Sequence, residues 1–544
     1  MLEQQDLNKR LFLAIALSFI VLFAFSYLFP QQKQSAEGNV THMGSKAVNG
    51  EASPAPEVSK VSSSSPATVE GETKGVPSKV KNGIVARVET EKYTLGFDSL
   101  GRISSVVLHE KKYRDEDGNP LELIDSDRVK PLEVRFENAT LNSEAFSTPY
   151  SFSSSKIDAT SSETVLTMQQ KLSSVTVKKV FRFYPDGHYT VDVSAGGKEK
   201  FFLTTGHRPE ADKSRYMIVR GSLVRDADGV ITTIEDGDME DSRSFDNITI
   251  VSSFDRYYAS LFYDFEKPYS VVMMKDSEND PLPFVVSSKE MRLNAYIGPK
   301  EWKLFKSLDP RLTDAIEFGW FTFLSKPFFS VMLSIYNFVG NWGWAIVLFT
   351  LLVKLILFPL SYKGMMSMQK LKDLAPKMKE IKERYGKDPA KMNQQMMELY
   401  RKHGANPMGG CLPMLLQIPV FFALYRVLLN ADELQGAGWI LWINDLSRQD
   451  PYYVLPILMG VTMFIQQQIT PNSMTDPLQQ KIFKWFPVIM TFFFLAFPSG
   501  LVLYWLTNNI LSIAQQYYIN HAYEKHKALM KAKSASKKGK QESE

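Results

Sequence analysis

Lys354 is the residue whose position in this sequence most needs an explanation. It lies inside the apolar run 345-AIVLFTLLVKLILFPL-360, which has the length and composition of a membrane span. A lysine near the centre of a hydrocarbon-buried helix costs about 2.5–3.5 kcal/mol on insertion scales. Such a charge persists where it faces a polar cavity, or where its long side chain extends to an interface. Lys354 is six residues, or about 9 Å of helix rise, from the end of the run, so both explanations are open.

Amide side chains stand in two other apolar segments. Gln417 lies in one of them, and Asn508 and Asn509 follow Tyr504 and Trp505 in the last one. Each amide alone is explained by a hydrogen bond between neighbouring helices, the usual role of such groups in membranes. Polar groups on three separate segments instead favour one shared hydrated cavity. We predict that the lysine and these residues face a common groove, which is open to the cytoplasm.

The composition excludes several classes of site. The chain has 544 residues, a net charge of +4, one cysteine and seven histidines. The single cysteine, Cys411, allows no internal disulfide and no multi-cysteine metal cluster, and no His-Glu-x-x-His spacing occurs. There is also no phosphate-binding GxxxxGK[ST] loop. These absences predict a protein that has no metal cluster and is not an ATP-driven motor. We also expect no cofactor and no catalytic residues, so that the protein is not an enzyme.

The N-terminal half contains an apolar anchor followed by a predicted β domain. The run Leu11–Phe29 is long enough to span a membrane, and no signal-peptidase site follows it, which favours an uncleaved anchor. Farther on, 175-VTVKKVFRFY-184 and 188-HYTVDVSA-195 alternate apolar and polar residues around the turn Pro185-Asp186-Gly187. Such alternation is typical of antiparallel strands, so we predict an extracytoplasmic β sandwich.

The distribution of charge predicts the membrane topology. Segment 361–407 has eleven Lys or Arg against five Asp or Glu, and the tail after residue 520 has seven Lys against three Glu. Because basic segments stay in the cytoplasm, we predict six transmembrane helices with both termini inside. The predicted divisions are an uncleaved anchor (1–30), a flexible linker (31–82), the β domain (83–312), an interfacial amphipathic helix (313–340), the second transmembrane helix (341–360), a basic cytoplasmic hairpin (361–407), four further transmembrane helices (408–520) and a basic cytoplasmic tail (521–544).

The hairpin predicted at 361–407 is rich in methionine. Met368, Met378, Met392 and Met396 recur at helical spacing. They are explained by packing of two helices against each other, or by an adaptable surface for hydrophobic client chains or a ribosome. The sequence leaves both explanations open.

Three segments resemble the YidC/Oxa/Alb family of membrane protein insertases. They are 407-PMGGCLPMLLQIPVFFALYRVLL-429, 450-DPYYVLPILMGVTMF-464 and 496-AFPSGLVLYWLTNNILSIAQQ-516, and the resemblance extends over nearly the whole chain. The order of anchor, β domain and basic hairpin is similar to the Gram-negative bacterial form, which lies in the inner membrane with its large domain in the periplasm. The resemblance implies a β-supersandwich for this domain and a helical core that encloses a polar groove.

The resemblance also implies which residues line that groove. By motif match, the family's groove cation falls on Lys354, and most bacterial relatives carry arginine there, so this sequence departs from the common pattern. Lysine keeps the charge but lacks the planar fork that binds a carboxylate in two places. Together with the residues singled out above, the groove candidates are Lys354, Thr350, Gln417, Tyr504, Trp505 and Asn508.

On this resemblance, we expect an insertase and chaperone that inserts inner-membrane proteins and helps them to fold, alone or with the Sec translocon. The expected partners are nascent membrane proteins, the lipid bilayer, the Sec translocon, and the ribosome with the signal recognition particle pathway. The alternatives are a channel or secondary transporter, and a sugar-binding outer domain that uses His188 or His207. We interpret each histidine as a surface or turn residue, and His207 has no clear partner in the sequence.

Overall fold

The computed structural model describes residues 83–541, apart from 116, 198, 212–217, 317, 320–321, 387, 404–411 and 471–476. The predicted anchor (1–30) and linker (31–82) therefore lie outside the described residues. The described part begins with strands and ends with helices, which is the order that the sequence predicts.

The N-terminal domain is built from strands, with one short helix among them. The strands are β1 (Ile84–Glu89), β2 (Tyr93–Asp98), β3 (Ile103–Leu108), β4 (Val134–Phe136), β5 (Ser151–Phe152), β6 (Lys156–Asp158), β7 (Thr164–Lys171), β8 (Thr176–Phe183), β9 (Tyr189–Ala195), β10 (Phe201–Thr204), β11 (Gly221–Asp226), β12 (Ile231–Glu235), β13 (Arg243–Phe254), β14 (Tyr258–Tyr263), β15 (Tyr269–Lys275), β16 (Pro281–Ser287) and β17 (Glu290–Pro299). Helix α1 (Ala139–Ser147) lies between β4 and β5. The prediction of a β domain before the helical part is confirmed.

Two sheets organise these strands. A four-stranded sheet has the order β3-β2-β1-β6, and a 13-stranded sheet runs β4-β10-β16-β15-β13-β14-β17-β9-β8-β7-β5, with β11 joining β13 to β12. Strands β1 and β6 pair in parallel, whereas the neighbours in the large sheet pair antiparallel. Both sheets contribute to one apolar core, so the domain is an all-β sandwich.

Strand β8 shows why these segments form strands. Its alternate residues Val177, Phe181 and Phe183 are buried, as period-two patterning requires when one face of a sheet covers a core. Lys179 occupies one of the inward positions and is fully buried. Its ammonium donates to the carbonyl oxygens of Gly101 and Leu132, each at 2.8 Å. The core therefore accommodates a lysine because backbone acceptors are provided for it.

The C-terminal part is helical. After the β domain come α2 (Trp302–Leu308), a 3-10 turn (Pro310–Ala315), α3 (Thr322–Val339), α4 (Trp342–Tyr385), α5 (Pro389–His403), α6 (Leu412–Asn430), a second 3-10 turn (Asp432–Leu434), α7 (Val454–Ile469), α8 (Pro477–Phe494) and α9 (Ser499–Gln541). Among the described residues, α4 is the one helix whose length and apolar composition suffice for crossing a membrane, and Gln417–Asn430 and Val454–Ile469 are shorter apolar helices. The count of six spans stays a prediction.

Local signals fix both ends of α4 and the start of α5. The Asn341 side chain accepts a hydrogen bond from the backbone N–H of Trp344 at 3.1 Å and caps α4. Helix α4 ends at Tyr385, before Gly386. Asp388 then accepts from the N–H of Lys391 at 3.1 Å at the start of α5. These turn and cap residues bring α4 and α5 back on each other as a hairpin.

A short loop after α6 joins the helical part to the β domain. Asp432 in this loop is fully buried and accepts from Lys112 Nζ at 2.9 Å and from the Tyr113 hydroxyl at 2.8 Å. The next residue, Glu433, accepts from the backbone N–H of Trp302 at 3.1 Å. The β domain is therefore held to the helices by buried polar contacts, and an apolar cluster extends across the same boundary.

Candidate functional site

Helix α9 presents a row of polar residues to its neighbours. Spacing of three and four residues places these side chains on one face of the helix. The row consists of Asn508, Asn509, Ser512, Gln515 and Gln516, and all but Asn508 are buried. A buried polar face on a long helix requires partners from the helices around it.

Lys354 reaches this face from α4. Its Nζ donates to Ser512 Oγ at 2.8 Å, and the side chain is half-buried. Among the residues that the structure describes, no Asp or Glu lies within ion-pair distance of this ammonium. The lysine therefore turns toward α9 instead of extending along its own helix, and no carboxylate of the described residues neutralises its charge.

Gln417 meets α9 at a different level. Its Nε2 donates to the Tyr504 hydroxyl at 2.9 Å, and the ring of Trp505 packs against Phe421 with 4.8 Å between ring centroids. Positions 504 and 512 are separated by about 12 Å along the helix. The structure thus brings Lys354 and Gln417 to the same helix, in two separate contacts.

Two of the other predicted polar residues are satisfied by ordinary helix contacts. Thr350 is buried and donates to the carbonyl of Ile346 at 2.6 Å, within its own helix. Asn509 donates to the carbonyl of Met459 and to Thr462 Oγ1, each at 3.3 Å, and so links α9 to α7. This matches the interhelical role that the sequence allowed for its amides.

Two polar atoms beside Ser512 have no such partner. Asn508 Oδ1 and Gln515 Nε2 are buried without a hydrogen-bond partner among the described residues. They lie four residues before and three residues after Ser512, so they flank the Lys354 contact on the same helix face. A buried, unpaired amide group costs about 1–3 kcal/mol, and this pair therefore marks a place that a polar ligand would stabilise.

Ser512 and Gln515 were missed by the reasoning from sequence. The signal was present, because both continue the three-and-four spacing that starts at Asn508. Serine in an apolar helix is common and satisfies its own hydroxyl on the preceding turn, so it does not attract attention by type.

The methionines of the hairpin lie between its two helices. Met378 is buried, and Met368 and Met396 pack partly buried against the cluster that it forms with Leu371 and Leu374. Met392 is half-buried. The arrangement accounts for helix packing in the hairpin, and it leaves Met397 as the exposed methionine of α5, with 62% of its surface open.

The C-terminal segment joins the hairpin. Helix α9 continues without a break to Gln541, and Asp373 of α4 accepts from the Tyr523 hydroxyl at 2.9 Å and from Lys527 Nζ at 2.8 Å. One turn earlier, Gln369 and Gln516 both donate to Asn520. These contacts connect the last helix to α4, which the sequence did not indicate.

His207 in the β domain lies in a polar cluster of its own. Its ring is buried, with Nε2 at 2.9 Å from Glu210 Oε1 and Nδ1 at 3.8 Å from Asp276 Oδ2. The interpretation of His207 as a surface histidine without a partner is therefore wrong, because the fold brings Asp276 to it from a distant strand end. His188, in contrast, is half-buried at its turn, with Nδ1 at 2.5 Å from Asp186 Oδ1.

The same cluster has the donor types of a metal site. One donor atom each from His207, Asp276 and Asp280 lies within 4.8 Å of the others. Burial, with Asp236 and Asp276 nearby, raises the pKa of Asp280 to about 6. The hydrogen bond from His207 lowers the pKa of Glu210 to about 2. Arg128 pairs with Asp276 at 3.3 Å, and such a cation opposes the binding of a metal ion at the same carboxylate.

The comparisons with known proteins agree with the resemblance. The family model described as 60Kd inner membrane protein matches residues 334–527, and the one described as YidC periplasmic domain matches residues 285–331. A relative from Campylobacter jejuni, named membrane protein insertase YidC, is 46% identical over 525 residues, which is 95% of this chain and 97% of the relative. This chain belongs to the YidC family.

A second relative shows the same agreement over nearly its full length. The YidC insertase of Wolinella succinogenes is 46% identical over 535 residues, which is 98% of this chain and 98% of the relative. A solved structure described as an active YidC insertase, with the first transmembrane domain resolved, is 21% identical and covers 81% of this chain and 94% of its own, with a TM-score of 0.35. The matched region 334–527 contains α4 to α8 and most of α9. The YidC family is an inner-membrane family with a periplasmic domain, and the resemblance to it is confirmed.

Proposed function

We propose that this chain is a membrane protein insertase and chaperone of the bacterial inner membrane. Relatives that match nearly the whole chain at 46% identity are named membrane protein insertase YidC. The observation on the molecule that carries the proposal is Lys354, a half-buried cation without a carboxylate partner among the described residues. A charge kept in that state is available to a passing client segment.

The proposed groove lowers the barrier that opposes insertion. A client span of about twenty residues gains free energy in lipid, since each Leu or Ile contributes about −0.3 to −0.6 kcal/mol. The obstacle is the short polar tail that must cross with it. A hydrated groove between α4, α6 and α9 shortens the apolar path, with Lys354, Thr350, Gln417, Tyr504, Trp505 and Asn508 as its proposed lining.

The direction of transport follows from charge. Lys354 attracts acidic residues of the client tail into the groove. A membrane potential that is positive outside then favours outward movement of each negative charge by about 2.3 kcal/mol per 100 mV. The step requires no nucleotide, in line with the missing phosphate-binding loop in the sequence.

The proposed topology places six spans in the membrane, both termini in the cytoplasm and the β domain in the periplasm. The basic residues of 361–407 and of the tail favour this orientation. The hairpin, with Met368, Met378, Met392 and Met396, is then the cytoplasmic element that a nascent chain or a ribosome meets first. We include the Sec translocon and the signal recognition particle pathway among the proposed partners.

Site-specific photocrosslinking tests the proposed groove. A photoreactive residue is placed at Lys354, Gln417 or Trp505, and a short single-span protein is synthesised in the presence of inverted membrane vesicles. Ile510 is the control, because it lies on α9, as Trp505 does, and its side chain is 50% exposed. We expect crosslinks to the client from the first three positions and fewer from Ile510. Correct insertion without any crosslink from the three positions would contradict the groove.

A further inference from the structure

The hydroxyl of Ser512 has a fixed orientation. It donates its proton to the backbone carbonyl of Asn508 at 2.7 Å, four residues earlier on α9. A serine hydroxyl has one proton and two acceptor lone pairs, so its oxygen is left as an acceptor. Lys354 Nζ, at 2.8 Å, is the donor that uses it.

This contact holds the lysine at a defined depth. The Lys354 side chain is long enough to extend toward the cytoplasmic end of its helix, where its ammonium would be hydrated at lower cost. In the structure it lies instead against Ser512, which is 4% exposed and belongs to another helix. A hydrogen bond with one charged partner is roughly twice as strong as a neutral one, so it favours this position.

We propose that Ser512 is a positioning residue that keeps the Lys354 ammonium inside the helix bundle and thereby sets the preference for clients with acidic tails. The inference rests on the proposed function, in which Lys354 attracts client carboxylates, and it adds the residue that positions the lysine for them. An ammonium has three N–H donors, and Ser512 uses one of them. The other two have no hydrogen-bond partner among the described residues and can donate to a client carboxylate.

A labelling experiment tests the positioning without any client. Inverted membrane vesicles that contain the full-length protein are treated with a membrane-impermeant amine reagent. The protein is then purified, and labelling of Lys354 is measured by mass spectrometry relative to the exposed Lys363 on the same helix. In Ser512→Ala, we expect labelling of Lys354 to rise about tenfold, the population shift for losing one charge-assisted hydrogen bond. Ser512→Thr, which keeps the hydroxyl, should stay at the original level.

Ser334→Ala is the control for removal of a serine hydroxyl from a helix. Ser334 on α3 also donates to the carbonyl four residues earlier, at 2.9 Å, and no lysine contact accompanies it among the described residues. Its substitution should leave Lys354 labelling unchanged. Equal labelling of Lys354 in Ser512→Ala and in the original protein would overturn the positioning role, whatever the protein does to clients.

An insertion assay tests the consequence for specificity. Two versions of one single-span client differ only in whether the translocated tail contains Asp or Asn. Ser512→Ala should reduce insertion of the acidic version about threefold or more and leave the neutral version unchanged, while Ser512→Thr restores both. Combined with Lys354→Gln, Ser512→Ala should add no further loss. An equal loss for both clients, or an additive double variant, would show that Ser512 acts on stability alone.

A third outcome is altered labelling of Lys354 in Ser512→Ala together with an unaltered preference for acidic clients. In that case Ser512 positions the lysine, but this position does not set the client preference, and the specificity inference would be wrong. The electrostatic part of the proposed function is tested separately, by Lys354→Gln. Photocrosslinks from the groove would still report on client binding independently.

Discussion

A buried lysine and a half-buried lysine of this chain show how the surroundings determine the role of a charge. Lys179 in the β domain is fully buried and donates to two backbone carbonyls, so its proton donors are directed to fixed acceptors. Lys354 in the helical part has one serine hydroxyl as its hydrogen-bond partner within the described residues. The ammonium of Lys179 therefore has a structural role, whereas the ammonium of Lys354 keeps N–H donors that a ligand can use.

Neutralising Lys354 tests its proposed role directly. Lys354→Gln keeps a polar side chain of similar length and removes the charge. We expect insertion of clients with acidic tails to fall about tenfold or more, because one charge pair near a surface contributes up to a few kcal/mol. Insertion of matched clients with neutral tails should change less than about twofold, since they lose no such pair. Protease protection of the translocated tail measures the inserted fraction. An equal effect on both clients would rule out electrostatic attraction.

Burial makes Lys179 a source of pH dependence. Desolvation lowers the pKa of Lys179 to about 7, from an ordinary value of 10.5. The unfolded chain therefore binds more protons than the folded one between these values, and this group makes the folded state more stable as pH rises from about 7 to 10. We expect the apparent melting temperature in detergent to include such a rise, and Lys179→Met to reduce it. Lys178→Met, one residue earlier and exposed, should retain it.

At the scale of elements, local sequence patterns predicted where strands and helices form. They did not predict which of these elements contact each other. The alternation in β8 and the cap residues at Asn341 and Asp388 act within a few residues, so they can be read in the sequence. The continuation of α9 to Gln541 and its attachment to α4 depend on how two helices pack. The segment was predicted as a basic tail because its composition indicates charge, and composition does not indicate the partner.

The attachment at Asp373 should be weak and measurable. Asp373 and Lys527 form an ion pair at 2.7 Å with side chains 37% and 35% exposed, and such pairs contribute about 0–1 kcal/mol. With the Tyr523 hydrogen bond also lost, Asp373→Ala should speed tryptic cleavage at Lys525 and Lys527 about threefold. Mass spectrometry of the fragments measures this rate.

The control for that experiment is Glu383→Ala. Glu383 pairs with Lys379 at 3.9 Å within α4, without reaching α9, and both side chains are exposed. Its substitution should leave cleavage in the last helix unchanged. If Asp373→Ala and Glu383→Ala give the same rates as the original protein, the attachment does not restrain the helix.

At the scale of the whole molecule, the loop at Asp432 connects the β domain to the helices. Asp432 is fully buried, and its partners Lys112 and Tyr113 lie in the β domain, 320 and 319 residues earlier in the chain. Removal of one member of a buried ion pair leaves the other charge without compensation. The contact therefore stabilises the arrangement of the two parts more than a surface pair would.

Asp432→Asn should destabilise the full-length protein. We expect a loss of about 3 kcal/mol, at the low end for buried pairs because Lys112 is 25% exposed. A lower apparent melting temperature in detergent, together with faster proteolysis of the β domain, would show it. Asp432→Asn combined with Lys112→Met should recover part of the loss, since no uncompensated ammonium remains. A double variant that is worse by the sum of both single effects would mean that the pair is not coupled.

The sequence by itself determined the β domain, the helical C-terminal part, the family, and the presence of polar groups in apolar segments. These features depend on residue type and on spacing within one element, where the physics is local. Only the tertiary structure decided that Lys354 meets Ser512, 158 residues away, that Asp432 meets Lys112, 320 residues away, and that His207 meets Asp276. The reason is that a hydrogen-bond partner is set by the rotation and packing of whole elements, and period and composition leave that rotation undetermined.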